Sequence, residues 1–350
     1  MRAIDFFCGG GGTTRGLLNA GIQVLAGVDI CSEYQQTYEH NNHNRFLAKS
    51  ITDISREDIQ ALIPDVFEAD DVLFAGCAPC QPFSQQRNSP EEHRDRNLLS
   101  EFGRIVEEYL PAYVLVENVP GIKGKGHDVF EAFLQRLQEN GYQYDYSILN
   151  AKNYGVPQNR KRLVLIASRV APIIMPAITH DGSLERPYRT VADAIGGFPH
   201  IEAGQSSEAL PNHKATNLSE LNLRRIRATS HNGGSRTEWP EDLILACHRA
   251  KGAGHTDVYG RMAWNEVSPT LTSKCCSISN GRFGHPEQDR AISFREAAAL
   301  QSFPDDYIFY GNSEAIIGRQ IGNAVPVVLA QAIGHALMQM ELHYHNNIEG

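Results

Sequence analysis

Short apolar runs alternate with helical patterns through the first half of the chain. Runs at 3–7, 22–28, 71–75, 112–116, 143–149 and 163–168 read as strands, and apolar spacing predicts helices over 13–20, 32–41, 98–110 and 127–139. Strands and helices in turn imply βαβ units, hence an α/β fold around a mostly parallel sheet. After Ser168 the alternation stops. Residues 170–290 are rich in Pro, Gly, His, Asn and Ser with few periodic runs, which predicts a separate, loop-rich region. Periodicity returns at Phe294–Gln301 and over 325–342, both helical in pattern.

The bulk properties narrow the class. A chain of 350 residues, 41% hydrophobic and 21% charged, suits one large α/β domain and a smaller one. No apolar run approaches the roughly 20 residues that span a bilayer, and Met1-Arg2 leads straight into the first strand, which leaves no signal peptide. Seven cysteines without framework spacing predict free thiols in a reducing compartment. The net charge of −9 argues against a protein that coats nucleic acid by bulk electrostatics. Within 211–261, however, eight Lys/Arg outnumber five Asp/Glu, with His213, His231, His248 and His255 among them. Such a segment suits a phosphate-facing surface and equally a solvated loop.

The candidate chemistry lies where strands end. The run Val72-Leu73-Phe74-Ala75 empties into Gly76-Cys77-Ala78-Pro79-Cys80-Gln81-Pro82, a turn that two prolines stiffen around Cys80. A thiol at the carboxyl end of a parallel strand is well placed as a nucleophile. The fragment also fits a buried small side chain, a redox dithiol or half of a zinc site. Gly9-Gly10-Gly11-Gly12 joins the first strand to a helix, a shape that lets backbone amides approach an anion. The dinucleotide fingerprint would need glycine at Thr14 or Arg15, and no phosphate-cradling G-x-x-x-x-G-K-[ST] occurs. Asp29 closes the second strand, where an acid accepts from ribose hydroxyls or caps the next helix. Together they suit a nucleoside with a small anionic end, such as S-adenosylmethionine. Glu117 follows the apolar Tyr113–Val116 as a partner for Cys80 or a simple cap. Arg160 and Arg162, alternate positions before the strand 163–168, share one face if extended, suited to bidentate contacts or to solvent.

In this order the pieces resemble the DNA (cytosine-5)-methyltransferases over nearly the whole chain. The resemblance rests on Phe7-Cys8-Gly9-Gly10-Gly11-Gly12, Pro79-Cys80-Gln81, Glu117-Asn118-Val119, Gln158-x-Arg160-x-Arg162, Arg295-Glu296-Ala297-Ala298-x-Leu300-Gln301-x-Phe303-Pro304 and Gln320-Ile321-Gly322-Asn323-Ala324-Val325-Pro326. It implies a Rossmann-like S-adenosylmethionine-dependent fold, a mixed, mostly parallel sheet with helices on both faces. It divides the chain into a catalytic domain, 1–175 and 315–350, and a loop-rich target-recognition domain, 176–314.

The same resemblance implies the roles. Cys80 adds to C6 of a flipped cytosine, Glu117 holds its N3/N4 edge, and one of the catalytic arginines, Arg160 or Arg162, helps to form the Cys80 thiolate. Phe7, Cys8, Gly9, Gly11, Gly12, Asp29, Ile30, Pro79, Asn323 and Val325 line the cofactor site. Spacing puts Ser50 and Ile51 at the adenine-contacting position, where a carboxylate is usual, although Asp53-Ile54 is the nearest D-I pair. Leu98 or Leu99 completes the pocket. The DNA contacts fall to Gln81, Ser84, Gln85, Arg87 and Arg96 of the catalytic loop and to Arg236, Arg249, Lys251, His255, Arg261 and Thr270 beyond it. Double-stranded DNA is the implied partner of a cytoplasmic, nucleoid-associated monomer, with room for a cognate restriction endonuclease and no metal or membrane. A tRNA methyltransferase on the same scaffold and a silent DNA-binding homologue are the competing readings. The stretch of over 100 residues between the eighth and ninth motifs favours duplex DNA over tRNA.

Overall fold

The computed structural model describes residues 1–78, 97–249 and 257–349. They form two compact units, the first made of Met1–Tyr154, Lys161–Thr179 and Val325–Gly350, the second of Gly155–Arg160 and His180–Ala324.

The first unit is built on a seven-stranded sheet of order β3-β2-β1-β4-β5-β7-β6. Its strands are β1 (Arg2–Phe6), β2 (Gln23–Asp29), β3 (Arg45–Ala48), β4 (Val72–Gly76), β5 (Tyr113–Asn118), β6 (Gln143–Asn150) and β7 (Lys161–Ser168). The first five run parallel, and β7 enters antiparallel between β5 and β6. Helices α1 (Gly12–Asn19), α2 (Gln35–Asn42), α3 (Arg56–Leu62), α4 (Leu98–Tyr109) and α5 (His127–Glu139) supply the crossovers. Central strands buried on both faces read as unbroken apolar runs, and β4, VLFAG, is buried at every position. The sequence reading missed β3 and α3, a four-residue strand and a seven-residue helix too short for a periodic signal.

Among the described residues the second unit carries only short helices, α6 (Val191–Ile195), α7 (Glu220–Arg227), α8 (Ala246–Arg249), α9 (Phe294–Leu300) and α10 (Glu314–Asn323). A small core of Ile226, Trp239, Leu243, Tyr259, Ile278 and Ala291 centres on the Trp239–Tyr259 edge contact at 5.3 Å. Helix α11 (Val327–Glu349) belongs to the first unit. There a Cβ on Gly16 of α1 would sit 2.4 Å from the Ala330 Cβ, so glycine permits the close crossing. One 18-residue window within Glu314–Asn346 is apolar enough to span a bilayer by composition, but 61% of it is buried inside the protein. That is the pattern of core helices.

Candidate active site

The parallel ladder places the chemistry of the first unit at one sheet edge. Phe6 pairs with Gly76, and Gly76 with Val116. The glycine loop, the Cys77 turn and Glu117 therefore issue from three adjacent strands at their carboxyl ends, where open α/β sheets bind ligands. Cys77 Sγ lies 3.4 Å from Thr13 Oγ1, at the start of α1.

The glycine loop is set by its own backbone. Phe7, Gly9 and Gly11 all have positive φ, at 61°, 52° and 89°. A Cβ on Gly9 would meet nothing within 4 Å, so the space above it is open. Gly9 N donates to Asp29 Oδ2 at 2.9 Å, and Cys31 N donates to Oδ1 at 2.9 Å, which locks the loop onto the end of β2. Burial pushes the Asp29 carboxyl above its ordinary range, while the amides of Cys31, Gly9 and Ile30 pull it back. Ile30 beside it is 75% exposed, an apolar side chain left facing solvent at a strand end. An open space over Gly9, a fixed acid and a bare apolar surface fit a nucleoside cofactor with a small anionic end. Ser50 caps the turn Ile51–Asp53 by accepting from Thr52 N, with Ile51 buried below it. Cys8 and Val325 are buried in this unit, and Gly12 opens α1. In the second unit Asn323 ends α10, exposed.

Glu117 is largely buried at the end of β5, and its Oε1 lies 2.8 Å from Arg162 Nε on neighbouring β7. The contact is an ion pair outside hydrogen-bond geometry, since Oε1 makes no hydrogen bond among the described residues. Arg162 also donates to the Lys161 carbonyl at 2.8 Å. The carboxylate is thus oriented and charge-balanced, with capacity left to bond another polar group.

Arg160 does not share this arrangement. The strand begins only at Lys161, so the alternation expected of Arg160 and Arg162 breaks down. Arg160 is buried in the second unit, donating to the carbonyls of Leu271, Gly322 and Ala324 at 2.9–3.1 Å. Gln158 is equally buried, donating to Leu300 O and Gln301 Oε1 and accepting from Leu271 N. Thr270 is exposed and donates to the Asn159 carbonyl at 2.6 Å.

Arg261, expected at a DNA surface, is a further correction. It is fully buried and donates to the carbonyls of Thr229, Ile226, His285 and Gln288, with Asp289 as counterion. Its fork satisfies carbonyls of loops and of a helix end that no strand ladder serves. Arg249 is exposed, with one weak bond to Glu241 O at 3.5 Å, and Arg236 is half-buried at the start of the turn Arg236–Glu238. Pro79, Cys80, Gln81, Ser84, Gln85, Arg87, Arg96, Lys251 and His255 lie outside the described residues. The acid Asp5, in the middle of an apolar strand, was the one available signal for a buried group behind the loop that the sequence reading passed over.

The profile of the C-5 cytosine-specific DNA methylases matches residues 1–339, and the chain belongs to that family, as a DNA (cytosine-5)-methyltransferase. The family takes its methyl group from S-adenosylmethionine. The chain is 43% identical over 342 residues to the Type II methylase M.HgiDII of Herpetosiphon aurantiacus, covering 95% of this chain and 94% of the relative. It is 35% identical to the Type II methyltransferase M1.HphI of Haemophilus parahaemolyticus, covering 96% and 86%. Among solved structures, one from E. coli described as a prophage-encoded DNA modification methyltransferase superposes with a TM-score of 0.73 at 23% identity, covering 98% and 99%. The S. pombe Dnmt2 methyltransferase superposes with a TM-score of 0.63 at 16% identity, covering 97% and 98%. These two likenesses concern the fold.

Proposed function

We propose that this enzyme methylates C5 of cytosine within a short sequence of double-stranded DNA, using S-adenosylmethionine, and that Glu117 held by Arg162 is the group that activates the base. The observation that carries the reading is the part-buried Glu117–Arg162 pair at 2.8 Å, one strand from the turn that leads into Pro79-Cys80-Gln81. Cytosine C5 is a poor nucleophile. Cys80 thiolate adds to C6, and Glu117 bonds the N3/N4 edge and supports the proton at N3, so that electron density reaches C5. C5 takes the methyl group that S-adenosylmethionine supplies, leaving S-adenosylhomocysteine, after which the C5 proton leaves and Cys80 is eliminated as thiolate. Arg162, 2.8 Å away, holds the Glu117 side chain in place.

The glycine loop, Asp29 and Ile30 hold the cofactor's anionic end, ribose and adenine, with Ser50, Ile51 and Val325 around them. The cofactor supplies an electrophilic methyl group. A stacked cytosine is out of reach, so it must be flipped at a cost of a few kcal/mol, a task for the loop from Gln81 to Arg96. The second unit reads the DNA, with Arg236, Arg249 and Thr270 among the contacts and Arg160 and Arg261 as internal braces. The Type II names of the relatives support a place beside a cognate restriction endonuclease, and the enzyme is proposed to act as a cytoplasmic, nucleoid-associated monomer.

The test is methyl transfer from labelled S-adenosylmethionine to unmethylated genomic DNA and to bulk tRNA in parallel, with bisulfite sequencing. Label at C5 within one short DNA motif is expected. Label on tRNA alone would establish the tRNA enzyme instead, and DNA binding without label a silent reader.

A further inference from the structure

Asp5 stands at the middle of the sheet, opposite Gly27 of β2 and Ala75 of β4, and is fully buried. Its Oδ2 accepts from Thr14 N at 3.1 Å and from Thr14 Oγ1 at 2.7 Å, and Thr14 Oγ1 lies 3.0 Å from Tyr38 OH on α2. Its Oδ1 has no hydrogen-bond partner among the described residues.

The helix above explains the contact. Helix α1 starts after Gly11, which has no side chain to cap it, and its first turn holds no acid. Thr14 N is among the four amides that such a start leaves unpaired. Asp5 reaches up from the sheet and takes the role that an N-cap side chain would fill, and a negative charge there also suits the helix dipole. The arrangement is costly for a carboxylate. Burial, aided by the charge of Asp29, pushes the Asp5 pKa up to about 7 against the pull of the Thr14 bonds. An amide or an apolar side chain would be cheaper to bury. A buried acid retained directly beneath a ligand loop points to a function.

We propose that Asp5 is a positioning residue for methyl transfer: through Thr14 its carboxylate fixes the start of α1 and the Gly9–Gly12 loop on which the cofactor's anionic end rests. This builds on the cofactor site assigned above. Ionised Asp5 grips both Thr14 donors, and a protonated carboxyl grips them weakly. The titratable groups around it are Asp29 on β2, Cys8 in the loop, Cys77 after β4 and Tyr38 on α2. Cys8 is pushed far up by burial and by the two carboxylates, so it stays a neutral thiol near neutrality.

The experiment is calorimetric binding of S-adenosylmethionine and S-adenosylhomocysteine to the full chain between pH 6 and 8, for wild type, Asp5→Asn, Thr14→Val and Thr14→Ser. Wild-type affinity for both ligands is expected to fall about tenfold from pH 8 to pH 6, as one group titrating near 7 requires. Asp5→Asn should bind both roughly tenfold to a hundredfold more weakly at pH 8, the loss of a charged hydrogen bond, and without that pH slope. Its KM for the cofactor should rise far more than its kcat falls. Thr14→Val should follow it and Thr14→Ser should restore wild-type binding. Asp5→Asn should also melt no lower than wild type at pH 8, because it removes a buried charge. A purely structural acid would lower stability and affinity together. Wild-type binding with Asp5→Asn equally tight and equally pH-dependent overturns the proposal. A wild type that binds neither ligand brings down the cofactor site itself, and this inference with it.

Discussion

In the first unit the backbone's polar groups meet one another along seven strands, whereas in the second they meet buried guanidinium groups. Arg160, Arg261, Arg290 and Arg295 are among the largest fully buried side chains of the protein, and all four lie in the second unit. Arg295 donates to the carbonyls of Pro211, Pro304 and Tyr307, and Arg290 to Ile201 and Ala291 while pairing with Glu296 at 2.7 Å. A loop-rich fold leaves many carbonyls without ladder partners, and each must be satisfied if buried. Arginine offers five donors in a fixed fork, so one side chain can serve several loops at once. Among the described residues, the regular unit holds a part-buried Glu117–Arg162 pair that is not used to satisfy loop carbonyls, while the irregular unit uses its arginines as framework.

The largest expected effect comes from breaking a brace. Arg261→Met should cost about 3–5 kcal/mol, because four carbonyls and Asp289 lose a buried donor. Hydrogen exchange should show the loss confined to the second unit. Arg261→Lys should not restore it, since a point charge cannot span those acceptors. Ile166→Val in β7 should cost only about 1 kcal/mol. Equal effects would erase the contrast between ladder and brace.

The chemical pair should behave in the opposite way. Glu117→Gln should leave unfolding near wild type and slow methyl transfer by about a hundredfold or more. Arg162→Gln should slow it less. A large stability loss in Glu117→Gln with transfer intact would make the pair a brace like the others.

Acid should act on the second unit through His285. Its Nδ1 accepts from Glu287 N and Gln288 N, which requires an unprotonated nitrogen, and burial holds its pKa down to about 3. The unfolded chain takes up that proton near pH 6.5 and the folded chain does not, so stability is present above pH 6.5 and lost as pH falls toward 3. Between pH 7 and pH 5 the loss should be about 2 kcal/mol. In His285→Asn, where an amide oxygen can still accept, the dependence should flatten. Asp5 runs the other way in the first unit, its raised pKa removing stability as pH climbs from about 4 to about 7. Parallel pH profiles for the two units would contradict both assignments.

The smallest effects belong to the exposed basic residues. Arg249→Ala should change stability by less than about 0.5 kcal/mol and, if the side chain meets phosphate, reduce the salt dependence of DNA binding by about one unit of slope. An unchanged slope would move Arg249 off the interface.

These differences also mark where the sequence was legible. Central strands such as β4 and β5 were visible because burial on both faces leaves an apolar run that needs no partner to be recognised. Asp29 and Glu117 stood out as candidates because each closes such a run. Arg261 and Arg160 were misread because a cation in a polar, loop-rich stretch looks solvated, and nothing local reveals that a folded loop wraps its carbonyls around it. Asp5 escaped notice for the opposite reason. It sits inside a strand, and its partner Thr14 is on the helix that packs above, a contact no periodicity encodes.

The central claim is that Cys80 attacks a cytosine that Glu117 has activated. The most direct measurement is covalent trapping, with S-adenosylmethionine present, on duplex DNA carrying 5-fluorocytosine at the target position, where after methyl transfer the fluorine cannot leave as a proton does and the thioether adduct persists. Wild type should give a denaturant-stable complex, Glu117→Gln should form it about a hundredfold more slowly, and Cys80→Ser should form none. An adduct in Cys80→Ser, or wild-type rates in Glu117→Gln, would contradict the mechanism.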